Sequence, residues 1–214
     1  EFQKDIFTED FLYNANQLKK VSHSFTLKDN TVIDKTIFIF HIVSNKDTHI
    51  FNQESFFQIG ASSNLKVIEV FVNKENNKVF FNHSSKAVVS KNAKFLHIHH
   101  QILNFDSVFG NSISAQIGRD GNYKSFTSTL GSKLSRTNIH IDIDEQGAEA
   151  TASGYYNLQG TQHADVSSLI SHNAPHTESH QLYKGIMNDK SRGVFTGLIK
   201  VQRDAQLINS NQLN

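Results

Sequence analysis

The stretch Ile139-His140-Ile141-Asp142-Ile143-Asp144 alternates apolar and polar residues without a break. In a β-strand successive side chains point to opposite faces, so the three isoleucines share one face. His140, Asp142 and Asp144 share the other. The pattern therefore predicts a strand with one buried side and one solvent-facing side.

Two earlier segments show the same period of two and extend the prediction to the first half of the chain. Residues predicted to line one side of a strand are Ile68, Val70 and Val72 in one segment and Phe38, Phe40 and Ile42 in the other. Glu69 is predicted on the opposite, wet side of its strand. No segment between strands is long enough for a helical crossover, which excludes a doubly wound α/β fold.

A loose repeat relates these strands to one another. A polar turn residue followed by a small or apolar residue recurs at a mean step of 28 residues, with the second residue at Leu65, Ala93, Tyr123, Ala148, Ala174 and Ala205. This period is typical of solenoids, whereas a β-sandwich carries more Gly and Pro hairpin turns. We therefore predict a mostly β parallel solenoid with two or three short strands per turn of the chain. Asn, Asp and Ser should form the corners, and Phe, Ile, Leu and Val should stack inside.

Composition narrows the range of functions. The chain has 214 residues, no cysteine and a formal net charge of +1. The lack of cysteine excludes disulfides, a cysteine nucleophile and any zinc or cluster site built on the chain's own thiolates. The balanced charge gives no electrostatic reason to expect nucleic acid or an anionic membrane as a partner. Asp5 to Leu18 is the one helix that the sequence predicts, and we expect residues 1–20 to cap a solenoid core over 21–214.

The twelve histidines are the first candidates for a metal site. His172, His176 and His180 are spaced by four, but Pro175 disfavours a helix there, and in an extended chain such residues lie about 13 Å apart. His97 and His99 share a strand face and are predicted to face solvent. The sequence therefore predicts no metal site, with His97, His99, His172 and His176 as the weak candidates.

Asp142 and Asp144 are the candidates for an enzyme. Two carboxylates on one strand face lie near the roughly 6.5–9.5 Å separation of inverting glycosidases, so a polysaccharide-active β-solenoid enzyme is the alternative function. A solvated strand face explains the same two residues. The sequence has no G-x-S-x-G motif and no P-loop.

From about residue 118 onward the sequence resembles the SufB/SufD family of iron–sulfur cluster assembly proteins, and its SufD branch more than SufB. The resemblance runs through Ser125-Phe126-Thr127, Leu130 to Arg136, Gly160 to Asp165 and Gln181 to Ile186. The motif positions, for which we expect structural roles, are Gly118, Arg119, Arg136, His163, Asp165, His172, Pro175, Gln181, Lys184, Gly185, Arg192, Gly193, Phe195 and Gly197.

The resemblance implies a right-handed parallel β-helix between helical end regions. It implies a non-enzymatic scaffold subunit that pairs with a SufB-like protein, binds a SufC-like ATPase and supports iron supply and nascent cluster formation. No cofactor is expected on this chain alone, and an iron–sulfur cluster is expected only transiently in the assembled complex. The family's C-terminal histidine and SufC-docking helices are expected beyond Asn214.

The expected location is the cytoplasm, or the plastid stroma of a plastid-bearing eukaryote. A structural homodimer without metal, formed by edge-to-edge pairing of the exposed final turns of the isolated fragment, is the third hypothesis.

Overall fold

A computed structural model describes residues 21–43, 49–74 and 78–214, and all the regular structure in these ranges is β. The predicted cap over residues 1–20, with its helix from Asp5 to Leu18, lies outside the described residues. Within those ranges no helix is long and apolar enough to cross a membrane. The strands are β1 (Val21–Leu27), β2 (Ile37–Val43), β3 (His49–Ile59), β4 (Asn64–Asn73), β5 (Val79–Val89), β6 (Lys94–Gln101), β7 (Val108–Ile117), β8 (Asn122–Thr129), β9 (Leu134–Ile143), β10 (Glu149–Leu158), β11 (His163–His172), β12 (Glu178–Met187), β13 (Arg192–Val201) and β14 (Asn209–Leu213).

The strands form two parallel sheets of seven. The odd-numbered strands follow one another in the first sheet, from β1 to β13, and the even-numbered strands in the second, from β2 to β14. Each turn of the chain therefore adds one strand to each sheet, and each strand pairs with the strand one turn away. This arrangement confirms the predicted parallel β-solenoid, with two strands per turn.

The register confirms the repeat length and corrects its phase. Paired residues are 26 apart where Val108 meets Leu134 and 32 apart where Val21 meets Gln53. Leu65, however, pairs with Phe95 rather than with Ala93. Ala93 lies just before β6, because the polar-then-small signature marks corners whose distance from the following strand varies.

One corner of the solenoid uses the left-handed backbone conformation in every turn. The residues with positive φ at this corner are Asn30, Ser62, Asn92, Asp120, Gly147, His176 and Leu207. Asn, Asp and Gly tolerate this region best. A Cβ on Gly147 would come 2.0 Å from Asp120 Oδ1, so glycine is needed there for space as well as for φ. Asn, Asp and Ser occupy the first four of these seven positions, as predicted, whereas Gly, His and Leu occupy the last three.

The interior follows the predicted alternation in the second half of the chain. Ile139, Ile141 and Ile143 are buried between the sheets, whereas His140 and Asp144 are exposed and Asp142 is partly so. Aromatic rings stack along the axis near the first turns. The ring centroid of Phe57 lies 5.1 Å from that of Phe25 and 5.2 Å from that of Phe95.

In the first half of the chain, the predicted inward face is wrong for two strands, β2 and β4. Phe38, Phe40 and Ile42 point outward and are more than half exposed, whereas Glu69 points inward and is fully buried. In β2 both faces carry apolar residues, so a period of two does not identify the inner one. In β4 the buried carboxylate is stabilised by polar partners that come from other turns.

The alternation in β9 predicts unequal costs for two adjacent substitutions. Ile141→Ala removes a fully buried side chain and should lower the free energy of unfolding by about 2–5 kcal/mol. Asp142→Ala changes an outward residue and should cost at most about 0.5 kcal/mol. Urea denaturation of both variants measures the difference, and equal losses would contradict the assigned faces.

Candidate functional site

A buried group of one carboxylate and four imidazoles lies between the two sheets. Glu69 is at its centre, and the imidazoles belong to His41, His83, His97 and His99. All five side chains are at most a few percent exposed. The solenoid interior therefore contains a set of metal-ligating groups in addition to its apolar core.

The repeat places these residues together. β2, β4 and β6 are neighbours in one sheet, and Glu69 of β4 pairs in register with His99 of β6. His97 shares the inward face with His99 because the two are two residues apart. His83 comes from β5 in the opposite sheet, next to Asn111 of β7. Successive turns of chain thus supply the side chains that meet at Glu69.

Each oxygen of Glu69 faces two imidazoles. His41 Nε2 lies 2.8 Å and His83 Nε2 3.3 Å from Glu69 Oε2, and the Ser55 hydroxyl donates a hydrogen bond of 2.8 Å to the same oxygen. His97 Nε2 lies 2.7 Å and His99 Nε2 3.8 Å from Glu69 Oε1. All four histidines therefore direct Nε2 toward one carboxylate.

The other ring nitrogens have side-chain partners of their own. His41 Nδ1 lies 2.6 Å from Gln53 Oε1, and His83 Nδ1 lies 3.1 Å from Asn111 Oδ1. His97 Nδ1 lies 3.2 Å from the Tyr123 hydroxyl. Such contacts orient an imidazole and select its tautomer.

Aromatic rings fix two of these imidazoles from the side. The His41 ring stacks on Phe71 with centroids 4.6 Å apart and an angle of 5°. The His97 ring lies 4.9 Å from Phe57 and 4.9 Å from Phe95. The packing holds the donor nitrogens in place and keeps water away from them.

Two members of the cluster have shifted pKa values. Burial by itself raises the pKa of Glu69, but the imidazole of His83 and hydrogen bonds from His41, His83 and His97 outweigh it and hold the pKa well below its usual range. Burial and the neighbouring His97 lower the pKa of His99. At neutral pH the carboxylate is therefore ionised and His99 is neutral.

Two sets of three residues have ligand atoms within 4.8 Å of one another. One set is His41, Glu69 and His83, and the other is Glu69, His97 and His99. Imidazole nitrogen with carboxylate oxygen is a donor set for divalent transition metals. The arrangement can therefore hold a cation, or share a proton between imidazole and carboxylate.

The predicted solvent-facing position of His97 and His99 is wrong. Both point inward, and the reason is the same as for Glu69. Polar groups supplied by neighbouring turns satisfy one another inside the solenoid, so His97 and His99 occupy the inner face of β6 and Ile98 the outer one.

The other histidine candidates do not come together. His172 is buried at the end of β11, where its ring nitrogens lie 2.6 Å from Thr177 Oγ1 and 2.8 Å from Ser179 Oγ. His176 is an exposed corner residue, and His180 is exposed on β12. In the described ranges these three do not form a group of ligand atoms.

The two aspartates of the alternative enzyme have surface contacts. Asp142 Oδ1 lies 3.3 Å from His140 Nε2, and Asp144 Oδ1 accepts a hydrogen bond of 2.8 Å from Asn173. Both contacts are typical of an exposed strand face, as the sequence indicated. They add no support for a glycosidase.

The family-motif residues of the last turns fill space around two tyrosines. Gly185 and Gly193 flank the Tyr156 ring, which a Cβ on either glycine would approach within 2.1 and 2.3 Å. Phe195 stacks on Tyr183 with centroids 4.6 Å apart. Gln181 accepts a hydrogen bond of 3.0 Å from Ser168, and a Cβ on Gly197 would come 2.6 Å from Gln181 Oε1.

The remaining motif residues lie on the outer surface or at corners. Arg136 and Asp165 form an ion pair between adjacent turns. His163 pairs in register with Arg192. The residues with exposed or corner positions are Gly118, Arg119, Pro175, Lys184 and Arg192.

The fold and the cluster define a parallel β-solenoid with an imidazole–carboxylate group inside, and comparison with known proteins identifies its family. Residues 41–214 match the family described as the SufBD core domain of SUF system FeS cluster assembly. The chain therefore belongs to the SufB/SufD family, which confirms the resemblance seen in the sequence.

Individual relatives agree with the family match. The chain is 33% identical over 135 residues to an iron–sulfur cluster assembly SufBD family protein of Synechocystis, covering 63% of this chain and 30% of the relative. It is 23% identical over 219 aligned residues to the iron–sulfur cluster assembly protein SufD of Escherichia coli, covering 97% and 51%. A chloroplastic protein of Arabidopsis, ABCI7, is 26% identical over 79% of this chain and 36% of its own length. The chain thus spans about half or less of these relatives.

His41, Glu69 and His83 were not among the predicted site residues, although the sequence repeat contains a signal for them. His41, Glu69 and His97 are each 28 residues apart, and so are Ser55, His83 and Asn111. This spacing equals the mean repeat length. Polar residues that recur at the repeat period are therefore the feature of the sequence that indicates this cluster.

The network around Glu69 predicts a large effect of a small change. Glu69→Gln keeps the shape but loses the charge that accepts hydrogen bonds from Ser55 and His97, so we expect a loss of at least about 2 kcal/mol in the free energy of unfolding. Glu178→Gln, at an exposed position of β12, is the control and should change stability by less than about 0.5 kcal/mol. Similar values for both variants in urea denaturation would contradict the role given to the carboxylate.

His172 predicts a pH dependence outside this cluster. Burial lowers the pKa of His172, so below pH 6.5 the unfolded chain binds a proton at this imidazole that the folded chain does not bind. The free energy of unfolding therefore decreases as the pH decreases. The cost of His172→Gln should therefore shrink between pH 7.5 and pH 5.5, by at most about 1.4 kcal/mol per pH unit. A constant cost for His172→Gln would show that its pKa is not lowered.

Proposed function

We propose that this chain is the β-solenoid part of a SufD-like subunit of the SUF scaffold. In this proposal it pairs with a SufB-like protein, the complete subunit binds a SufC-like ATPase, and the assembly supports iron supply and nascent cluster formation. The observation that carries the proposal is the family match over 41–214, which coincides with the solenoid from β2 onward.

The absence of cysteine supports the SufD side of the family. Without a thiolate this chain cannot hold an iron–sulfur cluster by sulfur ligation, so a cluster would need ligands from a partner. Relatives named SufD occur in Escherichia coli and in two Plasmodium species. We therefore propose a cluster held only transiently, in the assembled complex, and a location in a bacterial cytoplasm or a plastid stroma.

The outer face of β2 supports a role in protein contact. Phe38, Phe40 and Ile42 point outward there and are more than half exposed, and the rings of Phe38 and Phe40 stack with centroids 6.3 Å apart. Contiguous exposed apolar side chains mark sites of protein contact, and a SufB-like protein is the proposed partner.

A non-enzymatic role fits the chemistry of the described residues. The buried Glu69 cluster is closed off by aromatic rings, and Asp142 and Asp144 make surface contacts only. The polysaccharide enzyme remains the competing hypothesis, and it makes a different experimental prediction.

The test is co-purification of the full-length protein from its native cells under mild conditions. The scaffold proposal predicts that a SufB-like protein and an ATPase subunit elute with it, and that the gene restores iron–sulfur enzyme activity in a strain that lacks SufD. Asp142→Ala should leave both results unchanged. Failure to recover an ATPase subunit would contradict the proposal, and glycan hydrolysis that Asp142→Ala abolishes would establish the alternative.

A further inference from the structure

The two oxygens of Glu69 lie in chemically different surroundings. On the Oε1 side the hydrogen bonds form a complete relay. Asn111 Nδ2 donates to His99 Nδ1 over 3.4 Å, His99 Nε2 then reaches His97 Nδ1 over 3.4 Å, and His97 Nε2 donates to Oε1 over 2.7 Å. Each neutral imidazole of this side has one donor and one acceptor nitrogen, so the relay is satisfied without any further ion.

On the Oε2 side the donors do not suffice. His41 Nδ1 donates to Gln53 Oε1 and His83 Nδ1 donates to Asn111 Oδ1, because an amide oxygen can only accept. A neutral imidazole with its hydrogen on Nδ1 presents a lone pair at Nε2. In their neutral forms both Nε2 atoms therefore present lone pairs to Glu69 Oε2, at 2.8 and 3.3 Å, and each can donate to that oxygen only when its imidazole is protonated.

Ser55 does not resolve this conflict. Its single hydroxyl hydrogen is donated to Glu69 Oε2, so it has none to give to His83 Nε2, which lies 3.2 Å away. With both imidazoles neutral, the three acceptors Glu69 Oε2, His41 Nε2 and His83 Nε2 therefore have only the one hydroxyl hydrogen of Ser55 between them. Protonating both imidazoles would place two positive charges beside one carboxylate, at a cost in desolvation. A divalent cation can be shared by all three atoms.

The charge balance around Glu69 also favours a bound cation. Within the described ranges, the basic groups within 4 Å of the Glu69 carboxylate are the four imidazoles, and no lysine or arginine joins them. A buried carboxylate needs a positive partner, which a bound cation supplies. One divalent ion would leave a net charge of +1 on the site, whereas two would leave +3, so the site suits one ion.

We propose that His41 Nε2, His83 Nε2 and Glu69 Oε2 bind one divalent first-row transition metal ion inside the solenoid. His97 and His99 are positioning residues that hold the second carboxylate oxygen. Gln53 and Asn111 fix the tautomers of the two ligating imidazoles, as second-layer groups do at metal sites.

The donor set defines the class of ion. Two histidines and one carboxylate with open positions suit Fe²⁺ and its neighbours Co²⁺, Ni²⁺ and Zn²⁺. Ca²⁺ and Mg²⁺ prefer six or more oxygen ligands and are not expected to bind here. The site stands on the geometry of the described residues and does not depend on pairing with a SufB-like or SufC-like protein.

The test is metal binding by the tag-free, full-length protein after chelator treatment. Co²⁺ is the probe, because its visible absorption reports nitrogen and oxygen ligation, and long equilibrium dialysis allows for slow entry into an enclosed site. We expect one Co²⁺ per chain, displaced by Zn²⁺ or by anaerobic Fe²⁺ and unaffected by Mg²⁺. A folded wild-type protein that binds no ion at this stoichiometry would overturn the proposal.

Matched variants separate ligands from positioning residues. His83→Gln should abolish stoichiometric binding, whereas His97→Gln should weaken it by about 10–100-fold, as loss of an outer-layer contact does. The buried His172→Gln, outside the cluster, should bind as wild type does. Wild-type affinity in His83→Gln, or loss of binding in His97→Gln alone, would overturn the assignment, and circular dichroism confirms that each variant is folded.

A measurement on the wild-type protein covers the case in which His83→Gln does not fold. X-ray absorption of the Co²⁺-loaded protein should show imidazole scattering from two histidines, with metal–nitrogen distances of about 2.0–2.1 Å. An environment of oxygen ligands alone would overturn the proposal. Co-purification with an ATPase subunit is independent of these results, so failure of the metal site and failure of the proposed function are distinguishable.

Discussion

The interior of this solenoid is organised around one buried carboxylate. Glu69 lies between the sheets with its side chain inaccessible to solvent, and an ionised carboxylate in such a place costs several kcal/mol unless it is compensated. Compensation comes from the Ser55 hydroxyl and from the surrounding imidazoles, of which His83, His41 and His97 hold the pKa of Glu69 low in spite of burial. Those imidazoles in turn need Gln53, Asn111 and Tyr123 on their second nitrogens. One charge therefore determines the polar residues of several successive turns.

The solenoid makes such a network possible because it converts a sequence spacing into a contact. Side chains about 28 residues apart lie on neighbouring strands, and two strands per turn allow both sheets to contribute to one point between them. The same geometry also allows apolar residues to stack on one another, as Phe25 of β1 stacks on Phe57 of β3. In the first turns, polar residues take the place of some of the apolar ones. These polar residues can be buried because they form hydrogen bonds with one another. The interior thus contains both a core and a candidate site.

Membership in the SufB/SufD family gives this interior a context. Proteins of the family are named for iron–sulfur cluster assembly, and the chain has no thiolate with which to hold a cluster. Its imidazole and carboxylate groups instead suit a single divalent ion. Protein contact would use the outer surface, whereas metal chemistry would use the inside. The two roles are therefore separated by the wall of the solenoid and can be tested one at a time.

The sequence by itself determined the architecture. The alternation in Ile139 to Asp144 and the 28-residue repeat were enough for a parallel β-solenoid, because strand period and turn spacing are local properties of the chain. The same local pattern could not decide which face of β2, β4 or β6 points inward, since Phe38, Ile68 and Ile98 are as apolar as many core residues. That choice depends on whether Glu69, His97 and His99 find partners, and the partners come from other turns and from the opposite sheet. Only the tertiary structure therefore decided that the histidines meet at a carboxylate, because a buried charge is tolerated only where several distant residues satisfy it together.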